Sequence, residues 1–181
     1  MINVENSKLE YFEKFKKKNK VKRYSEDCND FDLREAIRDD LIKKQRGQCA
    51  YCESKITKET CTIEHIHPRD KNNKLECEYS NIVLSCKNND SCDKFKGQQV
   101  WLENYIHPIL HNPEEYFTFL PNGEIISENQ NALDTITYLH LDNDKLTRRR
   151  KDLIFSLASM KDVENISLYF NEHENLIKQY A

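Results

Sequence analysis

The sequence predicts an α+β protein that is mainly helical, with N-terminal helices, a compact strand–strand–helix core, a small β-hairpin and C-terminal helices. Three observations lead there. Only three glycines and four prolines stand among 181 residues rich in Lys, Glu, Asn, Ile and Leu, too few turn-formers for a sandwich of many short strands. Two cysteine pairs, Cys49/Cys52 and Cys86/Cys92, bracket short apolar runs. Asn122-Gly123 separates Tyr116-Phe117-Thr118-Phe119 from Ile125-Ile126, and an Asn-Gly step favours a tight hairpin turn. The length suits one compact unit. It divides into an N-terminal helical segment (1–47), a core (48–104) and a hairpin with C-terminal helices (105–181).

Taken in order, Ser7 is the expected cap of a first helix carrying Leu9, Phe12 and Phe15 on one side, and Asp32 the cap of a second. Leu33, Ala36, Ile37 and Leu41 recur at helical spacing, Lys43, Lys44 and Arg46 suit the negative end of the dipole, and Gly47 closes the helix. Residues 49–65 read as a knuckle and two short strands, with Ile56 in the first and Cys61, Ile63 and His65 alternating along the second. A hydrophilic loop from Pro68 to Glu78 follows. Ile82-Val83-Leu84 then leads to Cys86, and a helix starting near Cys92 presents Phe95, Val100 and Trp101 to a core. Leu133, Ile136, Leu139 and Leu141 suit a short helix or an extended connector. Leu146, Leu153, Ile154 and Leu157 suit a longer helix after Asp142 or Asp144. Asp162 would cap a last helix with the stripe Val163, Ile166, Tyr169, Phe170, Leu176 and Ile177.

A net charge of −3 does not advertise a nucleic-acid binder, so a basic surface must be local or supplied by a partner. Lys14, Lys16, Lys17, Lys18, Lys20, Lys22 and Arg23 form one basic run and Arg148-Arg149-Arg150-Lys151 another, and both read as solvated helix faces or ends. The start, Met1-Ile2-Asn3-Val4-Glu5, lacks the pattern of a signal peptide, and no apolar run is long enough to cross a bilayer. A soluble, cytoplasmic protein is expected, without membrane association. In a reducing compartment seven cysteines favour metal thiolates over disulfides, leaving Cys28, Cys61 and Cys77 as free thiols.

The pattern C-x2-C, 33 residues, C-x5-C brings two thiolates on a knuckle to two from a distant segment, the donor set of a closed structural zinc site. Between the pairs lie Glu64-His65 and Asn81, and directly after them Asp93. Neutral imidazole can act as a general base near pH 7, an amide can fix its orientation, and a carboxylate is a hard ligand for Mg²⁺. His67 is a possible second imidazole or a loop residue. Lys96 is a candidate phosphate contact or the start of a solvated helix face. His107, His111, His140 and His173 show no ligand spacing.

Cys49, Cys52, Glu64-His65, Asn81, Cys86, Cys92-Asp93 and Lys96-Gly97 resemble the ββα-metal motif of the HNH nuclease family. The resemblance implies an endonuclease that hydrolyses phosphodiester bonds with His65 as general base and Asn81 as the brace of its loop. Glu64 and Asp93 would be ligands or organisers of a catalytic Mg²⁺ or Mn²⁺. Two departures stand out: Asp93 replaces the usual Asn or His, and the wide interval between Cys86 and Cys92 leaves Asn88, Asn89 and Asp90 as rival ligands. The implied substrate is nucleic acid, with DNA expected, although a site that grips backbone phosphate carries little information about bases.

A longer set of residues is similar to the PtuB family, HNH subunits of Septu anti-phage systems that also occur in retron-linked forms. It comprises Gln45-x-Gly47-x-Cys49-Ala50-Tyr51-Cys52-Glu53, Ile63-Glu64-His65-x-x-Pro68, Leu84-Ser85-Cys86, Pro113-Glu114-x-Tyr116-Phe117 and Leu139-x-Leu141. This resemblance implies a role as effector of a defence complex with a PtuA-like ATPase of the ABC or SMC class. The alternative is a non-catalytic zinc-binding adaptor that recruits nucleic acid or an ATPase, which leaves Glu64, His65, Asn81 and Asp93 without a task.

Overall fold

Asp30, rather than Asp32, supplies the carboxylate that serves the orphan amides of the longest N-terminal helix. Its Oδ1 accepts from Leu33 N at 2.8 Å, so Asp32 falls inside the first turn of α3 (Phe31–Lys44). The computed structural model describes residues 1–5, 7–69, 74–97, 99, 102–160 and 172–180. Leu33, Ile37 and Leu41 form the buried stripe of α3. The helix exits through paired hydrogen bonds from Arg46 N to Lys43 O and from Gly47 N to Ile42 O, 3.1 and 2.8 Å. Arg46 and Gly47 both take positive φ, 52° and 70°, so the left-handed position falls on an arginine and the glycine follows it. Ahead of α3, α1 (Glu10–Asn19) starts after Leu9 with no side-chain cap, so Ser7 does not play that part. Phe12 is its buried residue, and the short α2 (Tyr24–Asp27) leads into α3.

The central sheet has two antiparallel strands, β1 (Cys61–His65) and β2 (Ile82–Cys86), with Cys61 opposite Cys86 and His65 opposite Ile82. Ile82, Val83 and Leu84 are all fully buried, which explains why β2 reads as a continuous apolar run. The edge of β2 away from β1 is completed by a side chain. Gln45 Oε1 accepts from Leu84 N at 2.7 Å, while Gln45 Nε2 and Ala50 N donate to Leu84 O at 2.9 and 3.0 Å. This amide takes the place of a third strand, as burial of backbone polar groups demands.

The strand expected around Ile56 shrinks to a single bridge between Gln48 and Lys55. Within 47–56 the chain closes on itself through Cys49 N to Ser54 O at 2.9 Å and Ile56 N to Gly47 O at 2.8 Å, because two cysteines three apart require a tight turn. After β2 comes α4 (Cys92–Lys96), only five residues long. Its Phe95 is half-buried with its ring 4.5 Å from that of His140, while Val100 and Trp101 lie outside the described residues.

In the C-terminal part, β3 (Thr118–Phe119) and β4 (Ile125–Ile126) form the expected hairpin. Gly123 N donates to Leu120 O at 2.8 Å and Gly123 has φ 88°, a turn followed by a left-handed glycine. A Cβ at this position would run into Thr147 O and come within 2.7 Å of Lys151 N, so the glycine also allows the turn to dock on α6 (Asp144–Ala158). Asn129 caps α5 (Gln130–Leu139), which settles the segment as a helix, and Asn143 rather than Asp142 or Asp144 caps α6.

The second basic run is a solvated face at Arg148, Arg149 and Lys151, with Arg150 as the exception. Arg150 is buried, bonding Gly123 O at 3.1 Å and Leu141 O, and Arg149 pairs with Glu172 at 2.6 Å. Of the last predicted stripe, 161–171 lie outside the described residues. Leu176 and Ile177 are buried on α7 (Glu174–Tyr180), which starts directly after His173 with φ 53°. Among the described residues, no helix is long and apolar enough to cross a membrane.

One buried imidazole carries a pH prediction. His107 Nδ1 accepts from Ile109 N and Leu110 N at 3.1 and 3.2 Å, which a protonated ring cannot do. Burial, aided by the nearby His67 and His111, pushes its pKa from 6.5 down to about 3. Below pH 6.5 the unfolded chain therefore binds a proton that the folded one refuses. Stability from this group is complete above that pH and falls on acidification, by up to about 1.4 kcal/mol per pH unit. Urea unfolding between pH 7 and 4.5 should show a shallower loss in His107→Asn, whose amide oxygen can keep the acceptor role. An identical pH slope in the variant would contradict the assignment.

Candidate functional site

The knuckle, the end of β2 and the start of α4 carry four cysteines to one point. The sulfurs of Cys49, Cys52, Cys86 and Cys92 all lie within 4.8 Å of one another. Cys49 to Cys92 is 3.9 Å and Cys52 to Cys86 is 3.8 Å. A tetrahedron with zinc–sulfur bonds of about 2.3 Å has edges of about 3.8 Å, whereas a disulfide needs about 2.05 Å. The four cysteines are thus positioned to bind a metal such as zinc. Burial opposes charge on Cys49, but hydrogen bonds from Cys52, Cys86 and Cys92 outweigh it and hold this thiol well below its usual range. Cys92 reaches the cluster with φ 60°, the left-handed backbone that turns the chain from the 87–91 loop into α4.

The wide loop has its own anchor. Asp90 pairs with Lys145 at 2.5 Å, its carbonyl meets His140 Nδ1 at 2.7 Å, and Asn88 bonds Ser91 and Asp90 N. Asp90 and Asn88 therefore turn toward α5, α6 and their own loop. Asp93, one residue past the cluster, instead lines a cleft of about 640 Å³ together with Glu64, His65 and Lys96. Ser85 ties the two together, since its hydroxyl lies 3.7 Å from Cys49 Sγ and accepts from Asp93 N at 3.3 Å. Burial pushes the Asp93 carboxyl above its ordinary pKa.

His65 ends β1 with a fixed tautomer. Its Nε2 lies 3.0 Å from Glu76 O, and a carbonyl can only accept, so Nε2 carries the proton and Nδ1 keeps a lone pair. The ring packs edge-on to Tyr24 at 4.5 Å, and burial lowers its pKa to about 4, which keeps it neutral. Glu76 is itself pinned: its carboxylate accepts from Arg23 Nε at 2.8 Å and from Ser25 N and Oγ at 3.3 Å. Asn81, fully inside the protein, accepts from His67 N at 2.7 Å and donates to His67 O and Leu75 O at 3.1 Å. It thus ties the two ends of the loop that presents Glu76 O.

Lys96 is neither exposed nor on a solvated face. It is 4% exposed, and its Nζ pairs with Glu64 Oε1 and donates to His65 O and Ile66 O at 2.9 and 3.2 Å. Burial pushes its pKa down to about 7, and the three oxygens offset the loss of water. Tyr51, inside the knuckle, places its hydroxyl 3.4 Å from the same Glu64 oxygen. Glu64 is therefore engaged at the wall of the cleft, and Asp93 is the carboxylate beside His65 with no ion-pair partner among the described residues. His67 is half-buried, 5.6 Å from the His107 ring, and is tied to Asn81 through its backbone.

The matching of sequence families adds to this geometry. Residues 49–98 match the model of the HNH endonuclease family. These residues are an HNH endonuclease domain. No curated protein matches the chain. HNH nucleases use divalent metals, and the domain implies a hydrolase that acts on nucleic acid. In this HNH domain a hard divalent ion fits the chemistry of the Asp93 carboxylate, which lines one cleft with His65, while the four cysteines suit a soft ion and would leave it no open position.

Sequence reasoning did not identify Glu76, Tyr24 or the arginines around His65. Arg23 and Arg69 line the main cleft. Arg34, Arg38 and Arg69 line a smaller one of about 190 Å³ that shares Thr62, Ile63 and His65 with it. Arg23 belonged to the basic run that read as a solvated helix face or end, Arg34, Arg38 and Arg69 are scattered through the sequence, and three of the four stand before the HNH domain.

Proposed function

We propose that this chain is a metal-dependent endonuclease that hydrolyses phosphodiester bonds of nucleic acid, with DNA as the expected substrate. The observation that supports it most is the pinned imidazole: Glu76 O holds Nε2–H at 3.0 Å, which leaves the basic lone pair on Nδ1 of His65, a residue that lines the same cleft as Asp93. In this reading His65 takes the proton of the attacking water, Asn81 keeps the loop and therefore Glu76 O in place, and Asp93 holds the divalent ion. Glu64, neutralised by Lys96, organises the wall. A bound Mg²⁺ or Mn²⁺ supplies charge neutralisation at the scissile phosphate and the departing oxygen. Zinc on Cys49, Cys52, Cys86 and Cys92, with no open position, clamps a ββα-metal core and takes no part in the chemistry.

The sequence similarity to the PtuB family supports a further step, that the nuclease is the effector of an anti-phage complex with an ATPase subunit of the ABC or SMC class. The test begins with the purified chain on plasmid, single-stranded DNA and RNA, with Mg²⁺ or Mn²⁺, alone and with a co-expressed ATPase of the ABC or SMC class from the same genome. Ion-dependent cleavage of at least one substrate is expected. Tight zinc content with no cleavage of any substrate, in either setting, would overturn the nuclease reading and favour the adaptor. Failure of the two proteins to co-purify would count against the complex alone.

A further inference from the structure

We propose that the smaller cleft beside His65 is a phosphate subsite, which holds a backbone phosphate of the nucleic acid next to the one being cleaved. The inference rests on the nuclease reading and adds a binding site built outside the HNH domain. Arg34 and Arg38 come from one face of α3 at i, i+4 spacing, Tyr24 from α2 and Arg69 from the turn after β1, and all four line this cleft. Three guanidiniums thus meet in a chain of net charge −3. The acidic neighbours are accounted for: Glu35 pairs with Arg38 Nη1 at 2.7 Å and with Lys58, and Asp39 pairs with Lys58 at 2.6 Å. Arg34 and Arg69 have no ion-pair partner among the described residues.

A second observation points to a ligand. The Tyr24 hydroxyl and Arg38 Nε are buried atoms without a hydrogen-bond partner among the described residues, and Tyr24 is only 5% exposed. Buried donors are normally paired, and an orphan costs about 1–3 kcal/mol. An oxyanion in the cleft would accept from both while meeting the guanidinium forks, which match phosphate oxygens. Thr62, Ile63, His65 and Arg69 border both clefts, so a strand passing His65 reaches the subsite without leaving the protein surface. Repeated anions at close intervals are the property of a polynucleotide backbone.

Binding of a fluorescent single-stranded DNA oligonucleotide, with no added Mg²⁺ or Mn²⁺ so that it stays uncut, should be titrated from low to high salt. The logarithm of affinity falls with the logarithm of salt by about 0.7 per phosphate neutralised. Arg34→Gln and Arg38→Gln should each weaken binding and reduce that slope by about 0.7, while Tyr24→Phe should weaken binding and leave the slope unchanged. Arg34→Gln carries the test should Arg38→Gln melt early, because Arg34 holds no ion pair among the described residues. Affinities and slopes equal to the unsubstituted protein's in Arg34→Gln would overturn the subsite. Because this readout needs no cleavage, reduced slopes without nuclease activity would leave the subsite standing and defeat the reaction, whereas unchanged slopes beside normal cleavage would defeat the subsite alone.

Discussion

Cys49→Ser should yield a chain that neither retains zinc nor folds stably. Structural zinc contributes about 10–16 kcal/mol in small modules, as much as the roughly 5–15 kcal/mol net stability of an ordinary domain. The site has little in reserve: Cys49 is fully buried, accepts from Cys86 N at 3.3 Å and touches Ser85, so its loss frees the knuckle, the end of β2 and the start of α4 together. Elemental analysis of the purified protein should find one zinc per chain, and far less in the variant, whose thermal transition should move down or vanish. Cys61→Ser is the control, because Cys61 is buried on β1 but stands outside the cluster. It should keep its zinc. Unchanged zinc stoichiometry in Cys49→Ser would show that the clamp has been misassigned.

The second large effect is expected in the chemistry alone. His65→Ala should lose cleavage by about 10²–10⁴-fold, the usual contribution of a positioned general base, while zinc content and the melting transition stay close to those of the unsubstituted chain. The substitution empties a space against Tyr24 but touches none of the four cysteines, so the clamp and the chemistry are separable. Measuring rates with saturating Mg²⁺ and with saturating Mn²⁺ removes weakened ion binding as a competing cause. A pure variant that cleaves at the original rate would eliminate His65 as the base. The acid branch of the wild-type profile offers little further help, since the loss of stability expected from His107 falls in the same acidic range.

Much of the fold was legible because its signals are local. The stripe of Leu33, Ile37 and Leu41, the apolar run Ile82-Val83-Leu84 and the glycine turn at Gly123 each follow from a short stretch of sequence. The helix caps were legible only to within a residue or two: Asp30 and Asn143 serve where Asp32, Asp142 or Asp144 were equally reasonable, because several adjacent polar side chains compete and backbone geometry selects one. The lost strand at Ile56 has a different cause. Its apolar residue is buried as expected, but Ile56 N bonds Gly47 O within the knuckle and Lys55 N bonds Glu172, so no strand ladder forms.

The candidate site divides in the same way. That Cys49, Cys52, Cys86 and Cys92 suit one metal follows from residue type and spacing, since ligand chemistry is a property of the side chains themselves, whereas it was the resemblance to the HNH motif that grouped His65 with Asp93, two residues that line one cleft. Which polar groups face one another was decided only in three dimensions. The loop between Cys86 and Cys92 is wide because Asp90 reaches His140 and Lys145, some fifty residues further on, and no local pattern announces that contact. Likewise Lys96 read as a phosphate contact or a solvated lysine until the carboxylate of Glu64 was brought to it, and Arg150 looked solvated until Gly123 and Leu141 offered their carbonyls. Composition and periodicity thus determined the elements and the metal-binding chemistry. Tertiary packing alone decided the tautomer of His65 and the partner of every buried charge, because long-range electrostatics and desolvation depend on distances that the chain acquires only when folded.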